Sequence, residues 1–215
     1  MTEKKAEFLT ASQRERLLPR LRSVSGLRAA AAGCHACPLW KDATQTVFGE
    51  GRAKARMVLV GEQPGDKEDL EGHPFVGPAG GILRKAMAEA GLDPAEVYIT
   101  NAVKHFKFQR RGKRRMHEKP NGGEVSACKP WFQRELELIK PQVVVAMGAT
   151  AGLALFGKAT AIGKNRGKVI PLTIGGVAFV TVHPSYLLRI PDRESKEQAY
   201  RDFVADLKRA RTALA

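Results

Sequence analysis

The sequence predicts an α/β chain, a single three-layer αβα domain built on a central, mostly parallel four-stranded sheet. Three observations lead there. Four strand-sized apolar runs recur along the chain, segments with helical spacing alternate with them, and 215 residues suit one domain of generous size. Alternation of this kind puts helices on both faces of a parallel sheet, so its strands read as nearly continuous hydrophobic runs.

Taken in order, residues 1–33 form an N-terminal extension, charged at first and Ala-rich from Leu27 to Ala32, whose last part is a helix delivering Cys34. The α/β domain is expected over residues 34–215. Its strands are Arg56–Gly61, Val97–Thr100, Val143–Met147 and Val177–Val182, each bounded by Gly, Pro or a polar residue, with Lys168–Ile174 as a candidate fifth, edge strand. Helices are expected where Ile82, Leu83, Ala86, Met87 and Ala90 run up to Gly91, where Trp131, Leu136, Leu138 and Ile139 run up to Pro141, and over Thr150–Phe156 before Gly157. A last helix carries Tyr200, Phe203, Val204 and Leu207 on one face. The segment Arg110–His117 has no apolar periodicity and reads as a basic loop, neither strand nor helix.

Composition narrows the function. Hydrophobic residues at 43% and charged residues at 27% are globular values, against a disordered, collagen-like or disulfide-scaffold chain. No apolar run approaches the roughly 18 residues of a membrane span, and Met1–Leu21 lacks the apolar stretch of a secretory signal; a cytoplasmic protein is expected. A formal charge of +14 points to a polyanionic partner. Eight Lys/Arg against one acid fall between Lys104 and Lys119, which concentrates the excess in one segment.

Ligands on open α/β sheets bind beyond the carboxyl ends of the strands. There the chain carries Gly61-Glu62-Gln63-Pro64-Gly65-Asp66, then Asn101, Gly148 and His183-Pro184-Ser185, so carboxylate, amide, imidazole and hydroxyl converge on one edge. The Gly/Pro loop suits close backbone approach to a phosphate or a base edge, although such loops are often only tight connections. Phe75, in a Gly/Pro-rich segment, offers an aromatic face for a base or simply anchors its loop. Asn101 can donate to and accept from one hydrogen-bonding edge. A neutral His183 can donate to a developing oxyanion, though a capped core histidine is the plainer alternative. The Lys and Arg of 110–115 can neutralise phosphates, and His117 follows them as a base or nucleophile presented beside a sugar-phosphate.

Cys34-x-x-Cys37 can bring two thiolates to one metal, and Cys128, expected to open a helix, can return a third. His105 is the best fourth ligand and His35 a poorer one. Zinc and a [4Fe–4S] cluster both fit this spacing; a Cys34/Cys37 redox dithiol with Cys128 buried is the alternative.

Together these pieces resemble the uracil-DNA glycosylase superfamily, in its iron–sulfur family 4-like branch, and most closely the UdgX type. The resemblance spans roughly Cys34 to Leu207. It rests on Cys34-x-x-Cys37, Gly61-Glu-Gln-Pro-Gly-Asp-Lys-Glu-Asp69, Pro74-Phe-Val-Gly77, Asn101-Ala-Val-Lys104, Cys128 and His183-Pro-Ser185. Ordinary family 4 members usually have Ala at Gln63 and Cys at His105, and lack Lys113-Arg-Arg-Met-His117; UdgX-type proteins carry that insertion, usually with Ile where Met116 stands.

The resemblance implies a [4Fe–4S] cluster on Cys34, Cys37, His105 and Cys128. It also implies excision of uracil from DNA, single-stranded by preference, with Gln63, Asp66, Phe75 and Asn101 around the flipped base and His183 stabilising charge on it. His117, aided by Glu62, is the implied nucleophile, leaving a stable bond to the deoxyribose C1′. Lys113, Arg114, Arg115, Ser185 and Arg189 are the implied DNA contacts. A monomer acting at the nucleoid is expected. A multiple-turnover glycosylase, and a non-catalytic iron–sulfur DNA-binding module, are the competing expectations.

Overall fold

A computed structural model of the chain describes residues 11–214; the first ten residues of the expected extension lie outside them. Helices α1 (Ala11–Leu17) and α2 (Val24–Ala31) lead into β1 (Glu50–Gly51), β2 (Met57–Gly61), α3 (Asp66–Glu71), α4 (Pro78–Glu89) and β3 (Val97–Asn101). The chain continues through β4 (Phe108–Arg111), β5 (Arg114–His117), α5 (Gly122–Ile139), β6 (Val143–Met147), α6 (Ala149–Phe156) and α7 (Ile162–Asn165). It ends with β7 (Ile170–Pro171), β8 (Val177–Thr181), α8 (Pro184–Arg189) and α9 (Arg193–Thr212).

The main sheet has the order β1-β3-β2-β6-β8-β7. Its four central strands are parallel and stand where the apolar runs put them. The sheet has six strands rather than four: β7 falls within the candidate edge strand Lys168–Ile174, and β1 adds a second antiparallel edge that was not expected. Each is two residues long, too short to show a period of two.

Alternate residues of the central strands supply two cores. Val58, Val60, Tyr98, Val144 and Ala146 face α2, α5 and α6. Met57, Leu59, Val97, Val143, Val145, Met147 and Phe179 face α4, α8 and α9. Val24, Leu27 and Ala31 belong to the first core, so the expected boundary at residue 34 cuts through packed structure: α2 is part of the domain. Among the described residues no helix is long and apolar enough to cross a membrane.

Two further expectations are corrected. Arg110–His117 is not a loop: β4 and β5 form an antiparallel hairpin in register Phe108↔His117 to Arg111↔Arg114. Gly112, at φ +58, opens its two-residue turn, a conformation that costs glycine nothing. The strands are basic on both faces because no core lies beneath them, which is why periodicity failed. Nor does Cys128 open a helix. α5 starts at Gly122, where the Asn121 side chain accepts from Glu124 N (2.9 Å) and Glu124 Oε2 accepts from Asn121 N (2.7 Å). Pro130 sits inside the helix.

A buried polar knot ties the carboxyl end of β3 to α5. Lys104 Nζ lies 2.5 Å from Glu135 Oε2 and donates to Thr100 Oγ1 (2.6 Å) and the Asn101 carbonyl (2.8 Å). Tyr98 OH donates to Glu135 Oε1 at 2.9 Å. Removing one charge strands the other, so Lys104→Met or Glu135→Gln alone is expected to cost about 3–5 kcal/mol. The pair Lys104→Met with Glu135→Leu should recover much of that loss in urea unfolding.

Candidate active site

The floor of the site is made by close backbone approach. A Cβ on Gly61, at the end of β2, would lie 2.4 Å from Asn101 Oδ1 and 2.6 Å from Phe75 Cζ. Only glycine lets those two side chains meet beside the strand. Phe75 is held at φ +58, unusual for a bulky residue. Its carbonyl accepts from Arg84 Nη1 at 2.8 Å and packs on Gly80, where a Cβ would come within 1.6 Å. Glu68 clamps the two loops that flank this floor, accepting from Gly65 N (3.1 Å) and Gly77 N (2.9 Å). Sequence reasoning missed Glu68; its position three residues after Gly65 is the spacing of a helix-start box.

Beside Phe75, ring centroids 5.8 Å apart, stands His183, the N-cap of α8. Its Nδ1 accepts from Ser185 N at 3.2 Å and lies 2.8 Å from Ser185 Oγ, so Ser185 is engaged with the imidazole. Burial pushes the His183 pKa down to about 4, with the charges of His117 and Arg189 adding to it. A neutral ring whose Nδ1 is an acceptor carries its proton on Nε2. That Nε2 and Asn101 Oδ1 are both buried without a hydrogen-bond partner. Both residues line a cleft of about 800 Å³, so the site holds one unpaired donor and one unpaired acceptor.

The hairpin closes one side of the cleft. Gln63 uses its whole amide on the hairpin's stem: Nε2 donates to the Lys107 carbonyl (3.1 Å) and the Glu118 carbonyl (2.9 Å), and Oε1 accepts from Lys107 N (3.1 Å). Arg115 crosses from β5 to α3, with Nε 2.5 Å from Asp66 Oδ1 and Nη1 2.6 Å from the buried Asp69. It also covers the Phe106 and Phe108 rings, 5.5 and 5.1 Å from their centroids. Gln63 and Asp66, expected around a base, and Arg115, expected on phosphate, therefore hold the hairpin. Lys113 and Arg114 at its tip are exposed, with no carboxylate partner among the described residues. Lys67, Lys119 and Arg189 add positive charge along the cleft.

This bracing presents His117, half exposed, with Nε2 3.4 Å from Glu62 Oε1. Glu62 Oε2 accepts from Thr150 Oγ1 at 2.5 Å, a residue no sequence signal marked. The structure thus brings Glu62, Phe75, Asn101, His117 and His183 to one cleft, from five separate stretches of chain.

The cysteines lie on the opposite side of β3. Cys34 and Cys128 sit in the α2/α5 core with Cys37 packed against it. Among the described residues, no three His, Cys, Asp or Glu side chains are drawn together closely enough to hold a metal ion. The donor set nevertheless suits one. Trp131 Nε1 donates to Cys34 Sγ (3.0 Å) and Lys104 N to Cys128 Sγ (3.3 Å), bonds that favour sulfur bearing negative charge. The Thr46 hydroxyl gives its proton to the Ala31 carbonyl, so at 2.9 Å it accepts from His105 Nε2. That fixes the tautomer that leaves His105 Nδ1 with a free electron pair, the arrangement of a ligating histidine. Burial pushes the Cys37 thiol up, and that of Cys128 to about 12. His35, the poorer candidate, is stacked on Trp40 at 3.6 Å.

The pKa of His183 makes a signed prediction. Between its ordinary value of 6.5 and about 4 the unfolded chain holds more protons, so His183's stabilising contribution is complete above 6.5 and lost as pH falls toward 4. An NMR titration should find His183 neutral until near pH 4. His183→Asn should flatten the stability loss across that interval.

Comparison with known proteins agrees with this geometry. The family model described as the uracil DNA glycosylase superfamily matches residues 48–208. The chain is 41% identical to the type-4 uracil-DNA glycosylase of Thermotoga maritima over 171 residues, 79% of this chain and 85% of that protein. It is 37% identical to the type-4 enzyme of Saccharolobus solfataricus over 78% of this chain and 79% of that protein. A more distant match, 31% identical over 64% of each chain, is a type-5 uracil-DNA glycosylase of Pyrobaculum aerophilum. With three quarters of its length under one family model, and its strand ends carrying the cleft, the chain belongs to the uracil DNA glycosylase superfamily.

Proposed function

We propose that this protein excises uracil from DNA, preferring single strands, and captures the resulting deoxyribose covalently on His117. The observation that carries the reading is the His117–Glu62 pair, at 3.4 Å, held at the mouth of a cleft whose floor has an unpaired donor and an unpaired acceptor. Uracil offers matching groups. With the base flipped into the cleft, Phe75 stacks on it, Asn101 Oδ1 accepts from N3–H while its amide donates to O4, and His183 Nε2–H reaches O2. As the C1′–N1 bond breaks, its electron pair leaves on uracil, and His183 stabilises the charge that develops at O2. A ring nitrogen of His117 then closes on C1′ with its lone pair, and the imidazole N–H proton passes to Glu62. Single strands are preferred because flipping there costs no base pair.

Lys113, Arg114 and Arg189 meet phosphates, while Arg115, Asp66 and Gln63 brace the hairpin. Cys34, Cys37, Cys128 and His105 are read as the holders of a [4Fe–4S] cluster, which when bound contributes a structural cross-link between the α2 end, β3 and α5. The protein is read as a monomer acting at the nucleoid. A second reading, a multiple-turnover glycosylase in which His117 only closes over DNA, has the type-4 relatives in its favour.

Denaturing electrophoresis of protein incubated with an end-labelled, uracil-containing single strand separates the readings. Covalent capture gives a uracil-dependent band stable to heat and SDS, absent in His117→Ala and replaced by abasic product in His117→Ser. Alkali-cleavable product in molar excess, without a band, overturns capture. Removing both tip charges, Lys113→Ala with Arg114→Ala, should weaken single-strand binding alike for uracil and uracil-free DNA and reduce the salt slope by about 1–2.

A further inference from the structure

Among the described residues Glu62 is the one acid within ion-pair distance of His117, and the structure restrains it at three points. Its backbone carbonyl accepts from Val103 N at 3.0 Å, and the neighbouring Gly61 carbonyl accepts from Ala102 N at 3.0 Å, which fixes the main chain to the exit of β3. Its carboxylate is fixed by the first turn of α6. Thr150 Oγ1 lies 2.5 Å from Glu62 Oε2, and Thr150 is buried, at 3% exposure. A hydroxyl has one proton, and here it is spent on Oε2, which leaves Oε1 turned to His117 Nε2 at 3.4 Å.

The local chain is shaped for this contact. Gly148 takes φ +93 between β6 and α6, and its N–H donates to the Thr181 carbonyl at 2.9 Å. A Cβ there would stand 3.2 Å from His183 Cβ, so the turn that aims Thr150 at Glu62 also lies against the imidazole of the floor. A carboxylate beside the start of a helix is further favoured by the helix dipole.

We infer that Thr150 is a positioning residue for covalent capture: its hydroxyl holds the Glu62 carboxylate in the orientation that takes the proton from His117. This rests on the capture reading above and extends it from the reacting pair to a group that touches neither DNA nor base. In the step concerned, the His117 N–C1′ bond forms as the imidazole N–H proton moves to Glu62 Oε1. Uracil has already departed with the C1′–N1 electron pair. Thr150 gains and loses nothing; it sets where Oε1 points. The groups that read the base, Phe75, Asn101 and His183, have no hydrogen bond to Thr150, so excision and capture should respond differently to its loss.

The test compares wild type, Thr150→Val and Thr150→Ser on a uracil-containing single strand, measuring released uracil and SDS-stable adduct in the same samples. Valine keeps the shape and loses the hydroxyl; serine keeps the hydroxyl. Adduct formed per uracil released should fall about tenfold in Thr150→Val, with free abasic DNA making up the difference, and return to within about twofold of wild type in Thr150→Ser. A merely structural role would lower uracil release and adduct together and leave their ratio unchanged, which overturns the inference. An undiminished adduct in Thr150→Val overturns it as well. Wild-type protein that yields only abasic DNA overturns the capture reading itself, and the role of Thr150 with it; that result is distinct because it appears before any substitution.

Discussion

One buried amide fixes the relation between the sheet and the structure appended to it. Gln63 spends both its N–H donors and its carbonyl on the stem of the β4–β5 hairpin, at the point where the two strands leave the domain. The hairpin has no core of its own, and a two-stranded ribbon is marginal in water. Its geometry therefore comes from its anchors: the Gln63 amide at the stem and the Arg115 ion pairs to Asp66 and Asp69 farther along. Each anchor reaches back to the loop and helix that follow β2, so the hairpin is registered against the same segment that carries Glu62. That shared origin is why His117, more than fifty positions later in the chain, faces that carboxylate.

Beneath the hairpin the site is kept open at some energetic cost. Two buried polar atoms without partners, His183 Nε2 and Asn101 Oδ1, each forfeit roughly 1–3 kcal/mol of solvation, and Phe75 adds a strained backbone. The surroundings offset this with rigid supports. The Lys104–Glu135 knot holds the chain beyond β3, Glu68 joins the two loops, and Gly61 and Gly80 let backbone and ring approach where any side chain would collide. Unpaired groups held this firmly discriminate between ligands, because only a molecule that supplies both partners recovers the lost solvation.

The central sheet was legible because β2, β3, β6 and β8 are buried on both faces and so read as unbroken apolar runs. Asn101, His183 and Glu62 could be placed because strand ends in parallel sheets share an edge. The hairpin was not legible: its strands are basic on both sides, stabilised by anchors sixty and more positions away in the case of Arg115 with Thr44, and only Gly112 hinted at a turn. Gln63 and Asp66 line the cleft as expected and also brace the hairpin, a contact the sequence did not signal, since an amide or a carboxylate beside a cleft serves equally to read a ligand or to hold a neighbouring strand. Thr150 acts through a single contact that carries no pattern, and the bond of Glu68 to Gly77 N is likewise marked by no spacing. The start of α5 is set by the reciprocal Asn121–Glu124 cap, ahead of the apolar residues by which the helix was recognised.

The supports divide the site into two sets that do not share members. Asn101 and His183 stand at strand ends and Phe75 on the loop between α3 and α4, held by Gly61, Glu68 and Ser185; His117 stands on the hairpin and is held by Gln63 and Arg115, with Glu62 and Thr150 reaching it from the sheet. A base can be bound, and charge on it stabilised, by the first set alone, because every group it needs is fixed without the hairpin. In the capture reading proposed above, attack on the sugar needs both, since the first set would deliver the carbon and the second the nucleophile. On that reading the hairpin is an addition to the groups that bind the base. Its contribution depends on orientation, which is where a displacement of one ångström in either anchor has the largest effect.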